Sequence, residues 1–195
     1  MPAAKSPDLP ILSFEHAKAL TAWLASNHST AKGIWLRIAK KGAGVASVSY
    51  AEAVEIVLCY GWIDGQKQAD DEHFYLQRLT PRGAKSIWSQ INRDKALALI
   101  GQGRMQPAGL REIERARADG RWGAAYESFS TATIPPDLQA ALDANPVAAA
   151  FYATLNRQNQ FAILFRIGNC KKAETRARRI EKYVAMLAGH EKLHP

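Results

Sequence analysis

The sequence predicts an α+β fold, in which a small antiparallel sheet packs with helices and an all-helical C-terminal module follows. Apolar residues alternate over 34–38, which is the pattern of a strand with one buried face. Two further strand-like segments, at about 62–68 and 73–79, flank a polar turn and predict a β-hairpin. Elsewhere the apolar residues recur at helical spacing.

A change of composition divides the chain. From 123 to 136 the sequence is rich in Ser, Thr and Ala and ends in Pro135-Pro136, and only helical patterns follow it. We therefore predict an α+β domain over 1–122, a linker over 123–136 and a helical C-terminal module over 137–195.

The ends of the helices carry local signals. Ser13 is a candidate N-cap for the first helix. Ser49 and Glu52 form a capping box, in which each side chain accepts a hydrogen bond from the other residue's backbone N–H, and Gly61 suits the end of that helix. Ser86 or Ser89 can cap the helix that follows the hairpin. The remaining helices are predicted from Pro107 to about Ala118, after Asp137, from Pro146, over 160–167 and from Lys171 to Gly189.

Composition bounds the class of protein. A chain of 195 residues with 47% hydrophobic and 23% charged residues is typical of a folded globular protein. Residues 1–7 are followed by no apolar run of the secretory type, and no stretch of about 18 apolar residues could cross a membrane. We therefore expect a cytoplasmic protein without membrane insertion.

The composition favours anionic partners over metals or cofactors. Cys59 and Cys170 lie far apart, and without an export signal free thiols are favoured over a disulfide. The His residues form no HExxH or Cys/His pair, so we predict no metal site, and we expect no cofactor. The net charge of +8 favours nucleic acid, phosphorylated metabolites or acidic lipid surfaces, although a solvated basic surface explains it equally well.

The segment 61–92 concentrates the side chains best suited to bind a ligand. Residues two apart on a strand share a face, so Arg78 and Thr80 should point the same way, and Arg82 would join them if the strand continued. Two guanidiniums and a hydroxyl at a strand end can grip a carboxylate or phosphate. Alternatively, the arginines pair with the carboxylates of the turn at 70–72.

Asp64 and the two tryptophans of this segment each have two interpretations. Asp64 is a turn residue of an Asp-Gly dipeptide, or a carboxylate that faces the arginines as a clamp partner or an acid/base. Trp62 and Trp88 are stacking platforms for a ring, or core residues beneath the sheet.

A row of polar residues follows the hairpin. Ser86, Ser89 and Asn92 are three residues apart and would share one helical face, where a helix N-terminus also favours an anion. Capping explains one of the serines but not the whole row. The predicted ligand-binding residues are Trp62, Asp64, Arg78, Thr80, Arg82, Ser86, Trp88, Ser89 and Asn92, with Asp64 as the catalytic candidate.

The segment 171–182 is predicted to be a basic amphipathic helix. Its apolar stripe includes Ala173, Ala177 and Ile180 and continues to Leu187. The basic face is a solvated surface, or it tracks phosphates, or it closes over the N-terminal cleft. The basic residues are Lys171, Lys172, Arg176, Arg178, Arg179 and Lys182.

Taken together, these segments resemble the YdeI/OmpD-associated, or bacteriocin-protection, family of bacterial proteins. The resemblance rests on Gly61-Trp62-Ile63-Asp64-Gly65, Thr80-Pro81-Arg82, Ser86-x-Trp88-Ser89-x-x-Asn92, Gly103-Arg104-Met105, Gly120-Arg121-Trp122 and Glu174-Thr175-Arg176-x-Arg178-Arg179-Ile180. It implies a small α+β body with a helical C-terminal module, and a connection to resistance against antimicrobial peptides or envelope stress. It supplies no catalytic residues.

Three functions fit these observations. The leading hypothesis is a cytoplasmic binding or accessory protein that recognises an anionic, ring-bearing small molecule in a cleft around Arg78, Arg82, Trp62 and Trp88. The second is an enzyme of uncharacterised type that uses Asp64 in the same cleft. The third is a nucleic-acid-binding protein that uses the basic C-terminal helix, although no nucleic-acid-binding motif is present.

Overall fold

The computed structural model describes residues 9–128 and 131–195. Within these ranges the chain forms a four-stranded mixed sheet and eight helices, which confirms the predicted α+β class. Residues 1–8, used above to argue against a secretory signal, and residues 129–130 of the predicted linker lie outside the described ranges.

The chain divides into two compact units. The first holds the residues up to Trp88 together with Asn92–Ala124, and the second holds Ser89–Ile91 with the residues from Ala125 onward. The division after Ala124 falls inside the segment 123–136. The role of that segment as a linker stays a prediction, as do the limits of the two domains.

The sheet belongs to the first unit. Its strands are β1 (Ile11–Ser13), β2 (Ile34–Ala39), β3 (Trp62–Ala69) and β4 (Phe74–Pro81), in the order β1-β2-β4-β3. The strands β2, β3 and β4 confirm the predicted strand segments, and their pairings are antiparallel. The sequence did not predict β1, a three-residue edge strand that pairs with β2 in parallel.

Four helices accompany the sheet along the chain: α1 (Ala17–Asn27), α2 (Tyr50–Cys59), α3 (Gln90–Gly101) and α4 (Pro107–Ala118). The capping box of α2 is confirmed, because the Ser49 side chain accepts from the Glu52 N–H and the Glu52 carboxylate accepts from the Ser49 N–H at 2.9 Å. The predicted N-cap of α1 is wrong. Ser13 lies in β1, and His16 caps the helix by accepting from the Ala19 N–H at 3.2 Å.

The strand register defines the two faces of the sheet. Ile34 is opposite Leu79 and Leu36 is opposite Gln77, so these residues share the buried face of the sheet. The helix α2 contacts β3, and α1 contacts α2. Asp64, which is opposite Leu79, also belongs to this face.

A β-bulge interrupts the hairpin of β3 and β4. The register shifts between Asp64 and Lys67, so that the strand pairing resumes one residue out of step. Gln77 is only 4% exposed, and its side-chain amide donates to the carbonyl oxygens of Gly65 (2.9 Å) and Gln66 (3.3 Å). The buried amide therefore satisfies two carbonyl groups at the irregular part of the strand.

The second unit has a helical core of its own. Its helices are α5 (Pro136–Asp143), α6 (Pro146–Thr154), α7 (Arg157–Gly168) and α8 (Ala173–Ala188). The helices α6, α7 and α5 each contact α8. Their buried side chains are Leu138, Leu142, Ala148, Tyr152, Leu155, Ile163, Leu164, Ile167, Ile180, Tyr183 and Leu187.

The predicted apolar stripe of α8 is partly wrong. Ile180 and Leu187 are buried as expected, but Ala173 and Ala177 are exposed, and Tyr183 supplies the buried position between the other two. Residues 180, 183 and 187 follow helical spacing, so the buried stripe is rotated relative to the one that the alanines suggested.

A close contact between helices makes a test of the packing in the first unit. Gly109 in α4 lies against the C-terminal end of α2, where an added Cβ would collide with the carbonyl oxygens of Cys59 and Leu58. We expect Gly109→Ala to lower the free energy of unfolding by about 1–3 kcal/mol, because backbone atoms cannot move aside cheaply. Urea denaturation measures this change.

The same substitution at the end of α3 provides the control. An added Cβ at Gly101 meets no atom within 4 Å. Gly101→Ala should therefore leave stability unchanged or raise it by about 0.4–1 kcal/mol through the unfolded state. Equal effects of the two substitutions would contradict the packing described for Gly109.

Candidate functional site

The candidate site is built where the hairpin ends. The strand β4 stops at Pro81, and the Arg82 N–H donates to the Gly61 carbonyl oxygen at 3.0 Å. The Arg82 side chain is 5% exposed, and its guanidinium carbon lies 3.5 Å from the centroid of the Trp88 ring. This is a buried cation–π contact, which fixes the orientation of the guanidinium.

A second indole extends this contact. Trp88 is 2% exposed, and its ring meets the ring of Trp122 edge-on, with the centroids 4.8 Å apart. The Arg117 guanidinium lies 5.4 Å from the centroid of Trp122. Each of the two adjacent indoles is therefore in contact with one guanidinium.

Three arginines hold the loop 82–88 by its carbonyl groups. Arg82 donates to the Ile87 oxygen at 3.2 Å. Arg115 from α4 donates to the Gly83 oxygen at 3.0 Å, and Arg121 donates to the Ser86 oxygen at 2.6 Å. We name Arg82, Trp88, Arg115, Arg121 and Trp122 the arginine–tryptophan cluster.

The cluster contains buried N–H donors that lack an acceptor. Arg115 is paired with Glu112, and Arg121 with Asp119 at 2.7 Å. Even so, the indole N–H of Trp88 and the Nε–H of Arg115 are buried without a hydrogen-bond partner in the described residues. Buried polar groups are nearly always hydrogen-bonded, so an arrangement with spare donors can accommodate an added acceptor.

The structure brings together only part of the predicted anion pocket. Arg78 and Thr80 share one face of β4, opposite Trp35 and Ile63 respectively, as expected. Arg82 leaves the strand and packs on Trp88 instead of joining them. The ligand-binding roles of these three residues stay predictions.

The interpretation of Asp64 as a turn residue is wrong, whereas its role as a ligand-binding or catalytic carboxylate stays a prediction. The strand β3 continues to Ala69, so Asp64 lies within a strand and not in a turn. It is opposite Leu79, on the other face from Arg78, and it accepts a hydrogen bond from the Tyr50 hydroxyl at 2.6 Å. Asp64 therefore secures the start of α2 to the sheet.

The tryptophans are core residues, so the prediction that they form stacking platforms is wrong. Trp62 is 1% exposed and donates its indole N–H to the His28 carbonyl oxygen at 3.0 Å. Its ring meets that of Trp23 at 6.0 Å between centroids. Trp88 is covered by Arg82 and Trp122.

The predicted polar row does not share a helical face, because α3 begins only at Gln90. Ser86 lies in the loop, where its hydroxyl accepts from the Gly83 N–H at 3.0 Å. Ser89 forms a bridge with Tyr126 within the second unit. Asn92 lies in the first turn of α3.

The arginine contacts differ from those the sequence suggested. The turn carboxylates pair with Arg37, which donates to Asp70 at 2.6 Å and to Asp71. Arg115 was missed altogether, because next to Glu112 it has the spacing of an ordinary helix-surface pair. Arg121 was noted only as part of the Gly-Arg-Trp motif. No signal in the neighbouring sequence indicates that Arg115 or Arg121 lies beside the loop 82–88.

Two family models divide the chain between them. Residues 12–112 match a domain of unknown function (DUF8412), and residues 131–190 match the family described as bacteriocin-protection, YdeI or OmpD-associated. The chain belongs to the DUF8412 family, and its C-terminal segment matches the YdeI/OmpD-associated family that the sequence resemblance indicated. No curated protein and no solved structure matches it. The YdeI/OmpD-associated match covers the helical segment, whereas the loop 82–88 lies in the DUF8412 match.

Over residues 9–128 and 131–195, no helix combines the length and apolar character needed to span a membrane. Nor do three or more His, Cys, Asp or Glu side chains in those ranges gather where they could hold a metal ion.

The basic helix α8, in the YdeI/OmpD-associated segment, uses two of its arginines within the second unit. Arg176 grips Asp137 through two hydrogen bonds, at 2.5 and 2.8 Å, and Arg179 donates to the Arg166 carbonyl oxygen. These arginines are structural links. The exposed basic residues that remain are Lys171, Lys172, Arg178 and Lys182.

The pair of Arg176 and Asp137 predicts a pH dependence. Hydrogen bonding from Arg176 lowers the pKa of Asp137 below its ordinary value of 3.8, and the same contact raises the pKa of Arg176. A carboxyl whose pKa is lowered by folding adds stability at higher pH, and this contribution is lost as pH falls through the folded pKa. Asp137→Asn should therefore destabilise the protein by about 0.5 kcal/mol at pH 7, a small value because solvent screens the pair.

The measurement is urea denaturation at a series of pH values. The difference between Asp137→Asn and the unaltered protein should shrink as the pH falls below 3.8. Asp143→Asn is the control on the same helix, since Asp143 accepts from the neutral side chain of Gln139. A pH-independent difference for Asp137→Asn would exclude the ion pair as its cause.

Proposed function

We propose that this protein binds an anionic small molecule at the arginine–tryptophan cluster and acts as a binding or accessory protein. The observation that carries the proposal is the pair of buried donors, Trp88 Nε1–H and Arg115 Nε–H, that lack an acceptor within the residues described. Leaving a buried donor unsatisfied costs about 1–3 kcal/mol, so an acceptor supplied by a ligand gains that amount back.

The chemistry of the donors favours an anion over a neutral ligand. Guanidiniums donate in a planar fork that matches a carboxylate or phosphate, and they accept nothing. The Arg115 side chain is 40% exposed, so an anion can reach it from solvent, and charge-assisted hydrogen bonds are stronger than neutral ones. Carboxylates and phosphate esters are therefore the ligand classes that we propose.

The loop contacts support this proposal by holding the donors in place. Arg82, Arg115 and Arg121 are each bonded to a carbonyl group of the loop 82–88. Side chains that are already ordered lose little rotamer freedom when a ligand arrives, which improves affinity.

The proposed ligand differs from the one that the sequence suggested. Trp62 and Trp88 are both buried, so neither offers a free ring face, and we propose an anion without requiring a ring. We retain the cytoplasmic location that the sequence suggests, and a contribution to bacteriocin protection that the family description suggests, as parts of the proposal. No specific observation favours the enzyme with Asp64 or the nucleic-acid binder.

The test compares two arginines of α4. Arg115 belongs to the cluster, whereas Arg111, one turn earlier, is exposed. We expect phosphate or citrate, compared with chloride at equal ionic strength, to raise the melting temperature of the unaltered protein. A ligand at about 100 times its Kd stabilises by roughly 2.7 kcal/mol. In the Arg115→Ala variant most of the anion-induced increase in melting temperature should be lost, and in the Arg111→Ala variant it should remain.

Each variant is compared with itself without the anion, because Arg115→Ala also removes loop contacts. Arg115→Lys keeps the charge but not the fork, and should show an intermediate gain. The proposal is wrong if no carboxylate or phosphate anion stabilises the protein, or if the Arg111 and Arg115 variants respond alike.

A further inference from the structure

A second basic site lies at the other end of the hairpin. Three lysines, Lys40, Lys41 and Lys67, line a hollow of about 510 Å³ together with Gln68, Ala69 and Tyr75. We name these six residues the lysine hollow. We propose that it binds a polyphosphate ester, a small molecule that joins two or more phosphates to an apolar or aromatic group. The inference does not depend on the arginine–tryptophan cluster.

Three segments of the first unit build the hollow. The Lys40 N–H donates to the His73 carbonyl oxygen at 2.7 Å, which fixes the chain as it leaves β2. The chain then turns at Gly42 and Gly44, whose φ angles of 86° and 67° suit glycine. Lys67 on β3 and Tyr75 on β4 complete the wall.

The turn between β3 and β4 carries carboxylates whose pairing bears on the charge of the hollow. Arg37 binds both Asp70 and Asp71, and its guanidinium carbon lies 3.8 Å from the centroid of the Phe74 ring. Arg37 is opposite Leu76, whereas Tyr75 is opposite Ile38, so Arg37 and Tyr75 lie on different faces of the sheet. The positive charges in the hollow are therefore not neutralised by these carboxylates.

Lys40 and Lys67 each make a contact that fixes the side chain, and both retain N–H groups that can donate to a ligand. Lys40 Nζ donates to the Asp71 carbonyl oxygen at 2.7 Å, which uses one of its three N–H groups. Lys67 Nζ lies 4.0 Å from the centroid of the Tyr75 ring, a cation–π contact that leaves its N–H groups able to donate. Compact ammonium groups suit phosphate as point charges.

A second cavity differs from the lysine hollow in its volume and in the pairing of its cation. It measures about 230 Å³, and the cation in its wall, Arg104, is already paired with Glu55 at 2.9 Å. The lysine hollow is larger, within the roughly 300–1,000 Å³ of small-molecule sites, and includes an aromatic ring. Within residues 9–128 and 131–195, none of its three lysines forms an ion pair. That combination favours phosphates attached to an apolar group.

Isothermal titration calorimetry with ADP and with inorganic tripolyphosphate tests the inference. Both should bind the unaltered protein at 50 mM salt, and ADP should bind more weakly at 150 mM salt. Lys67→Gln should lower the affinity for ADP and for tripolyphosphate by about fivefold, because it removes one charge near the surface. Lys32→Gln is the matched control, because Lys32 is an exposed lysine that precedes the opposite end of β2.

Further variants separate the parts of the inference. Tyr75→Leu should weaken ADP binding and leave tripolyphosphate binding unchanged. The titrations are also made in an Arg115→Ala background, because the arginine–tryptophan cluster is itself proposed to bind phosphates, and the losses from Lys67→Gln and Tyr75→Leu should persist there. Absence of binding at low salt, or equal losses from Lys67→Gln and Lys32→Gln, would overturn the site. Equal affinities for ADP and tripolyphosphate that Tyr75→Leu does not alter would overturn the ester assignment. Because the cluster is tested by its own comparison of Arg115 with Arg111, equal losses from Lys67→Gln and Lys32→Gln would overturn the lysine hollow alone.

Discussion

The β-bulge between Asp64 and Lys67 sets the face of the sheet on which Lys67 lies. Strict alternation from Asp64 would place Lys67 on the face of Arg37 and Arg78. Because of the bulge, Lys67 is opposite Gln77 and shares the face of Tyr75. The buried Gln77 amide stabilises this arrangement by bonding the carbonyl groups of the bulge. One extra residue in β3 therefore brings Lys67 to the lysine hollow.

The cations of the first unit serve two different roles, which follow from their chemistry. Arg82 and Arg115 are tied to carbonyl groups of one loop, a contact that planar guanidiniums make well while keeping further donors. Lys41 and Lys67 line an open hollow, where both side chains are exposed. The net charge of +8 thus includes an ordered group of arginines and a more accessible group of lysines.

Sequence signals that act between neighbouring residues predicted most helices and strands. The features that were not predicted depend on contacts between residues distant in the chain. The capping box of Ser49 and the proline at 107 act within one turn of helix, so the sequence alone places those helices. The strand β1 is too short to show alternation. The face of Asp64 and the approach of Arg115 to the loop depend on residues distant in the chain, for which one sequence gives no signal.

The residues of the motif from Thr80 to Trp88 make contacts that stabilise a loop. Pro81 is paired with Trp62, and the Arg82 N–H bonds the Gly61 carbonyl oxygen one residue further on. The chain therefore leaves the sheet only after Arg82, whose side chain packs on Trp88. Ser86 then closes the turn by accepting from the Gly83 N–H. The loop contacts leave Trp88 Nε1–H buried without an acceptor in the ranges that the structure covers. That spare donor, and not the motif itself, is the reason to seek an anion at this loop.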